Sequence, residues 1–144
     1  MTFVGSRSDW FSKLTVRGFP KKYADFLEDP DEHGKVGFLL YAVTAPQVRG
    51  LNLSADMITE SKNHMRRLGL DYVIAFGRIT THMALSEDYG QACEEMNRFL
   101  KIARPDGLNE DHAVRFHQRA GAQIAAGIPY STGSEHGFLA LYKL

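Results

Sequence analysis

The sequence has 144 residues and a balanced charge, with 17 lysines and arginines against 17 aspartates and glutamates, so it offers no basic surface for the phosphates of nucleic acid. No apolar stretch approaches the ~20 residues of a membrane span, and the start of the chain has no signal-peptide apolar segment. The single cysteine, Cys93, cannot form an internal disulfide. We therefore expect a cytoplasmic protein with one domain, residues 1–144, that binds neither membrane nor nucleic acid.

The hydrophobic pattern alternates between strand-like and helix-like segments, which is typical of an α/β protein with a mixed sheet. Strands are predicted at residues 13–17, 35–44, 71–77, 122–128 and 136–143. Helices are predicted at residues 21–28, 51–68, 87–103 and 109–120.

Several apolar residues near the N-terminus have little surrounding chain to bury them. They are Trp10, Phe11, Leu14, Val16 and Phe19. Exposed apolar patches of this kind usually mark an interface. We therefore expect a homo-oligomer, most simply a two-fold dimer.

The segment from Pro46 to Ser54 leaves a predicted strand, turns through small residues and opens a predicted helix. Pro46 ends the strand because it has no N–H to donate to a neighbouring strand. The helix carries apolar residues at helical spacing and has Gly69 as its C-cap. These apolar residues are Leu53, Met57, Ile58, Met65 and Leu68. Free N–H groups and the positive end of the helix dipole at such a start suit a phosphate or pyrophosphate.

This segment resembles the acyl-CoA-binding motif of the GCN5-related N-acetyltransferases (GNAT), in which Arg or Gln is followed by two residues, Gly, one residue, and Gly or Ala. Arg49 stands at the Arg/Gln position, Asn52 at the first Gly and Ser54 at the last small residue. Asn52 departs from the family's glycine, although Asn tolerates left-handed backbone geometry better than most residues. The resemblance implies that acetyl-CoA or another acyl-CoA is the co-substrate, with its pyrophosphate on the backbone of six residues. They are Arg49, Gly50, Leu51, Asn52, Leu53 and Ser54.

The same resemblance gives a role to the strand before the motif. The backbone groups of Ala42, Val43 and Thr44 are expected to pair with the pantetheine amides, and one N–H to stabilise the thioester oxygen. The Thr44 hydroxyl is a candidate catalytic group that would position the acceptor or a water. Ordinary β-propensity also explains a threonine at this place.

A second motif, from Asp111 to Ala122, reads Asp-x-x-x-Arg-Phe-His-x-x-x-Gly-Ala. It is similar to the late helix of the GNAT family, and most similar to the branch that loads acyl groups in polyketide assembly lines. His117 stands where the family has a tyrosine that protonates the leaving thiolate. Because imidazole keeps acid–base capacity, His117 is the predicted catalytic residue, as an acid towards the thiolate or a base towards the acceptor. The alternative is a packed helix histidine with no chemical role.

The sequence departs from the family pattern in three places. Only 44 residues precede Ala45, so the N-terminal part of the fold is expected to be short. Arg49 and His117 lie 68 positions apart, with residues 79–106 as an apparent insertion that includes a predicted helix. Ser131 follows the Ile-Pro-Tyr segment, near the place of an arginine in the assembly-line branch, which argues against decarboxylation of a malonyl group.

Together, the residues and the resemblance predict a GNAT-like α/β (α+β) fold with a mixed, mostly antiparallel sheet flanked by helices. The leading interpretation is an N-acetyltransferase that moves an acetyl or other acyl group from CoA to a small-molecule or peptide amine. One alternative is a non-catalytic CoA-binding or interaction subunit, favoured by Asn52 and the short N-terminal part. Another is an S-acyltransferase that acts on an acyl carrier protein, suggested by the Arg-Phe-His variant. No metal site is expected, because the six histidines show no metal-ligand spacing and there is one cysteine.

Overall fold

The computed structural model describes residues 2–5, 36–39, 45–132 and 134–144. The predicted strand at 13–17, the predicted helix at 21–28 and the apolar side chains from Trp10 to Phe19 lie outside these described residues. The prediction of a homo-oligomer, which depends on those side chains, therefore stays a prediction.

The described strands form one five-stranded mixed sheet. They are β1 (Thr2–Gly5), β2 (Val36–Leu39), β3 (Tyr72–Arg78), β4 (Gln123–Thr132) and β5 (Glu135–Lys143). Their order is β1-β2-β3-β5-β4. Strands β2 and β3 pair in parallel, and the other described pairs are antiparallel. This confirms the predicted mixed, mostly antiparallel sheet, closed by a C-terminal hairpin whose last strand inserts beside β3.

The described helices are α1 (Leu53–Arg67), α2 (Tyr89–Lys101) and α3 (His112–Arg119). The predicted helices at 51–68 and 87–103 are each confirmed with ends shifted by about two residues. The predicted start of α3 at 109 is wrong by three positions. The side chain of Asp111 accepts hydrogen bonds from the backbone N–H of Ala113 and Val114, and it therefore caps the helix at this residue.

The predicted helix ends at residues 68 and 120 are confirmed to within one residue, and a glycine closely follows each end, Gly69 and Gly121. Their φ angles are +76° and +89°, the left-handed geometry of a Schellman motif. After α3, the N–H of Ala122 returns to the carbonyl of His117 at 2.9 Å. This bond satisfies a carbonyl that the helix itself leaves without a partner.

All three described helices contribute buried side chains to one face of the sheet. The buried residues that form this core are Ile58, Met65, Leu70, Val73, Ala75, Ile79, Met96, Val114, Phe138, Ala140 and Tyr142. The predicted apolar face of α1 is only half right, because Ile58 and Met65 are buried while Leu53, Met57 and Leu68 are 38%, 46% and 58% exposed. Leu53 lies in the first turn of α1 and lines a cavity at this end of the helix.

Close packing fixes the position of β5 against β3. A Cβ on Gly77 of β3 would overlap the ring of Phe138, which is fully buried on the paired strand β5. On the other face of the sheet, Val36, Ile74 and Leu139 form a second buried cluster. Among the described helices, none is both long enough and apolar enough to cross a membrane.

Candidate active site

The chain enters α1 through a turn with two left-handed residues. Residues Pro46–Val48 form one turn of 3-10 helix, after which Gly50 has φ +90° and Asn52 has φ +60°. A glycine suits the first of these positions because it has no Cβ to clash in left-handed geometry. Asn52 occupies the second without a side-chain hydrogen bond to the helix, in the conformation that its tolerance of left-handed geometry predicts.

Several backbone N–H groups of this turn have no acceptor among the described residues. The N–H groups of Ala55 and Asp56 donate to the carbonyl of Asn52 at 3.1 and 3.3 Å. Within the described part of the chain, those of Gly50, Asn52, Leu53 and Ser54 have no hydrogen-bond partner. They lie at the positive end of the α1 dipole, and the start of α1 is therefore suited to bind an anion.

A cavity of about 560 Å³ opens at this point, between the start of α1 and one face of α3. Its lining includes Val48, Arg49, Gly50, Asn52, Leu53, Ser54, Ala55, Thr59, His112, Phe116, Arg119 and Ala120. These described residues include two arginines and no carboxylate, so the wall has a positive charge. Five of the six predicted pyrophosphate residues meet here. The sixth, Leu51, is 64% exposed and is not part of the lining.

The predicted pantetheine residues Ala42, Val43 and Thr44 lie outside the described residues. Their role, including that of the Thr44 hydroxyl, stays a prediction. Among the described residues, no group of three or more His, Cys, Asp or Glu side chains is arranged to hold a metal ion.

Helix α3 is held in place by the buried carboxylate of Asp111. Its Oδ2 accepts four hydrogen bonds, from the backbone N–H and the hydroxyl of Thr80 and from the same two groups of Thr81. Its Oδ1 accepts the two hydrogen bonds that cap the helix. Burial alone would raise the pKa of Asp111, but the hydrogen bonds from Val114, Thr80 and Thr81 outweigh burial and lower the pKa below its usual value. The carboxylate therefore stays ionised at neutral pH and fixes α3 beside the cavity.

The arginine of the Arg-Phe-His motif also has a structural role. Arg115 donates to the backbone carbonyls of Asn109 at 3.1 Å and Glu110 at 2.7 Å. It closes the loop before α3. The next motif residue, Phe116, forms part of the cavity wall.

The predicted catalytic residue His117 is partly buried between α3 and the sheet, and it is not among the residues that line the cavity. Its Nδ1 lies 2.6 Å from the hydroxyl oxygen of Tyr142. Its ring meets the rings of Phe116 and Phe138 edge-on, with centroids 5.3 and 5.4 Å apart. Burial lowers the pKa of His117 from 6.5 to about 4, so the imidazole is neutral at pH 7.

Several of the residues around the site were not predicted. His112, Phe116 and Arg119 line the cavity from one face of α3. Their spacing of four and three residues is a signal that sequence reasoning could have used. Tyr142 was missed for a different reason, because its contact with His117 joins a strand and a helix 25 positions apart.

Comparison with known proteins identifies the fold through structure. No protein-family model matches the sequence, and no curated protein matches it. The loading GNATL domain of CurA from Lyngbya majuscula matches with a TM-score of 0.64 and 17% identity, over 99% of this chain and 68% of that one. The chain has the GNAT fold.

Two further solved structures are similar in fold to this chain. The GNAT-like decarboxylase GphF, in complex with isobutyryl-CoA, matches with a TM-score of 0.61 and 17% identity, over 99% of this chain and 69% of that one. An aminoglycoside 6'-N-acetyltransferase complexed with coenzyme A matches with a TM-score of 0.56 and 10% identity, over 76% of this chain and 59% of that one. At these identities the likeness concerns the GNAT fold, which the sequence motifs predicted.

Proposed function

We propose that this protein is an acyl-CoA-dependent acyltransferase that moves an acetyl or other acyl group from CoA to an amine. The observation that carries the proposal is the positively charged cavity at the start of α1, where free backbone N–H groups meet Arg49 and Arg119. Two proteins of the same fold support it, since the GphF structure holds isobutyryl-CoA and the aminoglycoside acetyltransferase structure holds coenzyme A.

The pyrophosphate of acyl-CoA would bind the N–H groups of Gly50, Asn52, Leu53 and Ser54. A doubly charged group is stabilised there by the helix dipole and by the two arginines. Phe116 would give an apolar wall to the adjoining part of the ligand. The pantetheine arm would continue along Ala42, Val43 and Thr44, as predicted from the sequence.

In the transfer step, the amine nitrogen attacks the thioester carbonyl, a C–N bond forms and the C–S bond breaks. The amine loses a proton and the CoA thiolate gains one. His117 follows directly after Phe116 of the cavity wall, and we assign it to this step as a neutral imidazole. This assignment requires that the acyl end of the bound ligand reach His117, beyond the cavity wall at Phe116.

A transfer to the thiol of an acyl carrier protein is the second candidate. Two of the similar solved structures, each matched over 99% of this chain, are GNAT-like: the CurA structure is a loading domain and GphF is a decarboxylase. The same cavity would then hold either CoA or the phosphopantetheine of the carrier, because the two share a phosphate and a pantetheine arm.

Isothermal titration with acetyl-CoA and with longer acyl-CoAs tests the proposal. We expect saturable binding with one site per chain. The release of free CoA thiol is then measured in the presence of amines and, separately, in the presence of an acyl carrier protein. The acceptor that increases the release is the one the protein uses. Binding with no turnover on any acceptor would favour a non-catalytic CoA-binding subunit, and no binding of any acyl-CoA would contradict the proposal.

A further inference from the structure

The hydroxyl of Tyr142 is the polar partner of the His117 imidazole. The two atoms, Tyr142 Oη and His117 Nδ1, are 2.6 Å apart. Tyr142 is fully buried, and within the described residues its hydroxyl has no other hydrogen-bond partner. A buried hydroxyl proton needs an acceptor. The geometry therefore directs the phenol proton to Nδ1.

Two further features support this direction of the hydrogen bond. Burial raises the pKa of Tyr142 above its ordinary value, so the phenol keeps its proton. The Lys62 ammonium donates to the carbonyl of Ala120 at 3.1 Å and lies 5.4 Å from the centroid of the Tyr142 ring. A cation against the ring disfavours a second positive charge on the neighbouring imidazole.

The His117 ring is also held in a single orientation. The rings of Phe116 and Phe138 meet it edge-on from two elements. Tyr142 lies in β5 opposite Val73 of β3, inside the sheet, so its hydroxyl has a fixed position. With Nδ1 accepting the phenol proton, the proton of the neutral imidazole is on Nε2, directed away from Tyr142.

We infer that Tyr142 is a positioning residue that holds His117 as the neutral Nε2–H tautomer, so that His117 acts as a hydrogen-bond donor to the thioester and not as the base for the acceptor. The inference rests on the proposed acyl transfer. A nitrogen that carries a proton has no lone pair with which to take one from an amine. The Nε2–H group instead stabilises the negative charge that develops on the thioester as the amine attacks.

His117 neither loses nor gains a proton overall in this step. The amine nitrogen bonds to the carbonyl carbon and gives its proton to water, while the C–S bond breaks and the thiolate takes a proton from water. Neutral imidazole is too weak an acid to give up its Nε2 proton fully. His117 therefore donates a hydrogen bond throughout the step and ends it in the state in which it began.

Nitrogen NMR of the intact protein tests the tautomer directly. The protein is labelled with 15N-histidine, and the His117 signals are identified by their loss in His117→Ala. We expect Nε2 to carry the proton in the parent, a mixture of tautomers in Tyr142→Phe, and the parent spectrum in Tyr89→Phe, which removes an exposed hydroxyl. A proton on Nδ1 in the parent, or an unchanged tautomer in Tyr142→Phe, would overturn the inference.

The parent spectrum alone decides the tautomer, even if Tyr142→Phe fails to fold. Because this measurement needs no acyl-CoA, it is independent of the proposed function, which fails separately if no acyl-CoA binds. In turnover, Tyr142→Phe should lower kcat roughly tenfold, the rate equivalent of one hydrogen bond, with KM for acyl-CoA unchanged. In the His117→Ala background the same change should have no further effect, and an independent loss there would contradict a role through His117.

Discussion

The carboxylate of Asp111 accepts two hydrogen bonds from Thr80, one from its backbone N–H at 2.7 Å and one from its hydroxyl at 2.8 Å. Thr81 donates to the same oxygen in the same way, at 2.7 and 2.9 Å. Thr80 and Thr81 follow β3, and Asp111 begins α3. One buried side chain thus joins the sheet to the helix that forms a wall of the cavity.

We predict that Asp111→Ala lowers the free energy of unfolding by about 2–4 kcal/mol. The loss combines a helix cap, worth about 1 kcal/mol, with the partly buried donors of Thr80 and Thr81, which lose their acceptor at a cost of about 1–3 kcal/mol. Urea denaturation measures it. The matched control is Asp88→Ala, since the exposed Asp88 caps α2 through a single hydrogen bond from Gln91 and should cost only about 1 kcal/mol. Equal losses in the two variants would contradict the role of Asp111.

Stability should also depend on pH through His117. Its pKa falls from 6.5 to about 4 on folding, so between these values the unfolded chain binds more protons than the folded one. The free energy of unfolding therefore does not depend on His117 titration above pH 6.5. As the pH falls towards 4, the protein loses stability because protonation of His117 favours the unfolded chain. The loss reaches about 3 kcal/mol, at about 1.4 kcal/mol per pH unit. Thermal unfolding at pH 7 and pH 5 tests this prediction: about 2 kcal/mol of the loss is expected at pH 5, and the difference should shrink in His117→Gln.

The alternation of strands and helices was predictable because it follows from local periodicity. The end of α1 was predictable for the same reason, since Gly69 acts within its own turn. The start of α3 was not, because Asn109 and Asp111 are both good caps. Asn109 is instead buried, and its amide donates to the carbonyls of Phe99 and Ile102 at 2.9 and 3.0 Å.

The candidate site also has one part that local sequence determines and one part that depends on contacts between distant residues. The turn at residues 49–54 that opens α1 was predictable, because a helix start and its preceding turn are local features. The orientation of His117 was not predictable, since it depends on Tyr142 in a strand that is distant in sequence. Contacts between elements, such as this one and that of Asp111 with Thr80, decide which motif residues line the cavity and which support it.

Gly77→Ala should destabilise the sheet by roughly 1–3 kcal/mol or more. An added Cβ there overlaps the ring of Phe138, which is fully buried in the core. Gly90→Ala is the control, because a Cβ in α2 meets only Asp88 at an ordinary 3.5 Å. That substitution should be neutral or stabilise by up to about 1 kcal/mol. Chemical denaturation of both variants tests the prediction, and a tolerated Gly77→Ala would contradict the packing described for β3 and β5.

Activity should distinguish a donor from a base at His117. His117→Ala should lower turnover by roughly 10²–10³-fold, the usual cost of one donor that stabilises a developing oxyanion. His117→Gln should keep more activity than His117→Ala, because its amide still donates a hydrogen bond but has no basic nitrogen. Acyl-CoA affinity should be nearly unchanged in both, since the acyl-CoA contacts proposed above are made by other residues. Turnover equal to the parent in His117→Ala would show that His117 only packs in the helix.

Gly50→Asp should abolish acyl-CoA binding if the pyrophosphate lies at the start of α1. The new carboxylate would stand among the free N–H groups and would repel the phosphates.

Gly107→Asp is a close control. Both glycines have left-handed φ angles, +90° and +80°, and neither has an atom within 4 Å of an added Cβ, so the backbone cost of substitution is similar. Gly107 is not among the residues that line the cavity. Titration calorimetry with acetyl-CoA should give binding in Gly107→Asp and none in Gly50→Asp. Parent-like affinity in a folded Gly50→Asp protein would show that the pyrophosphate binds elsewhere.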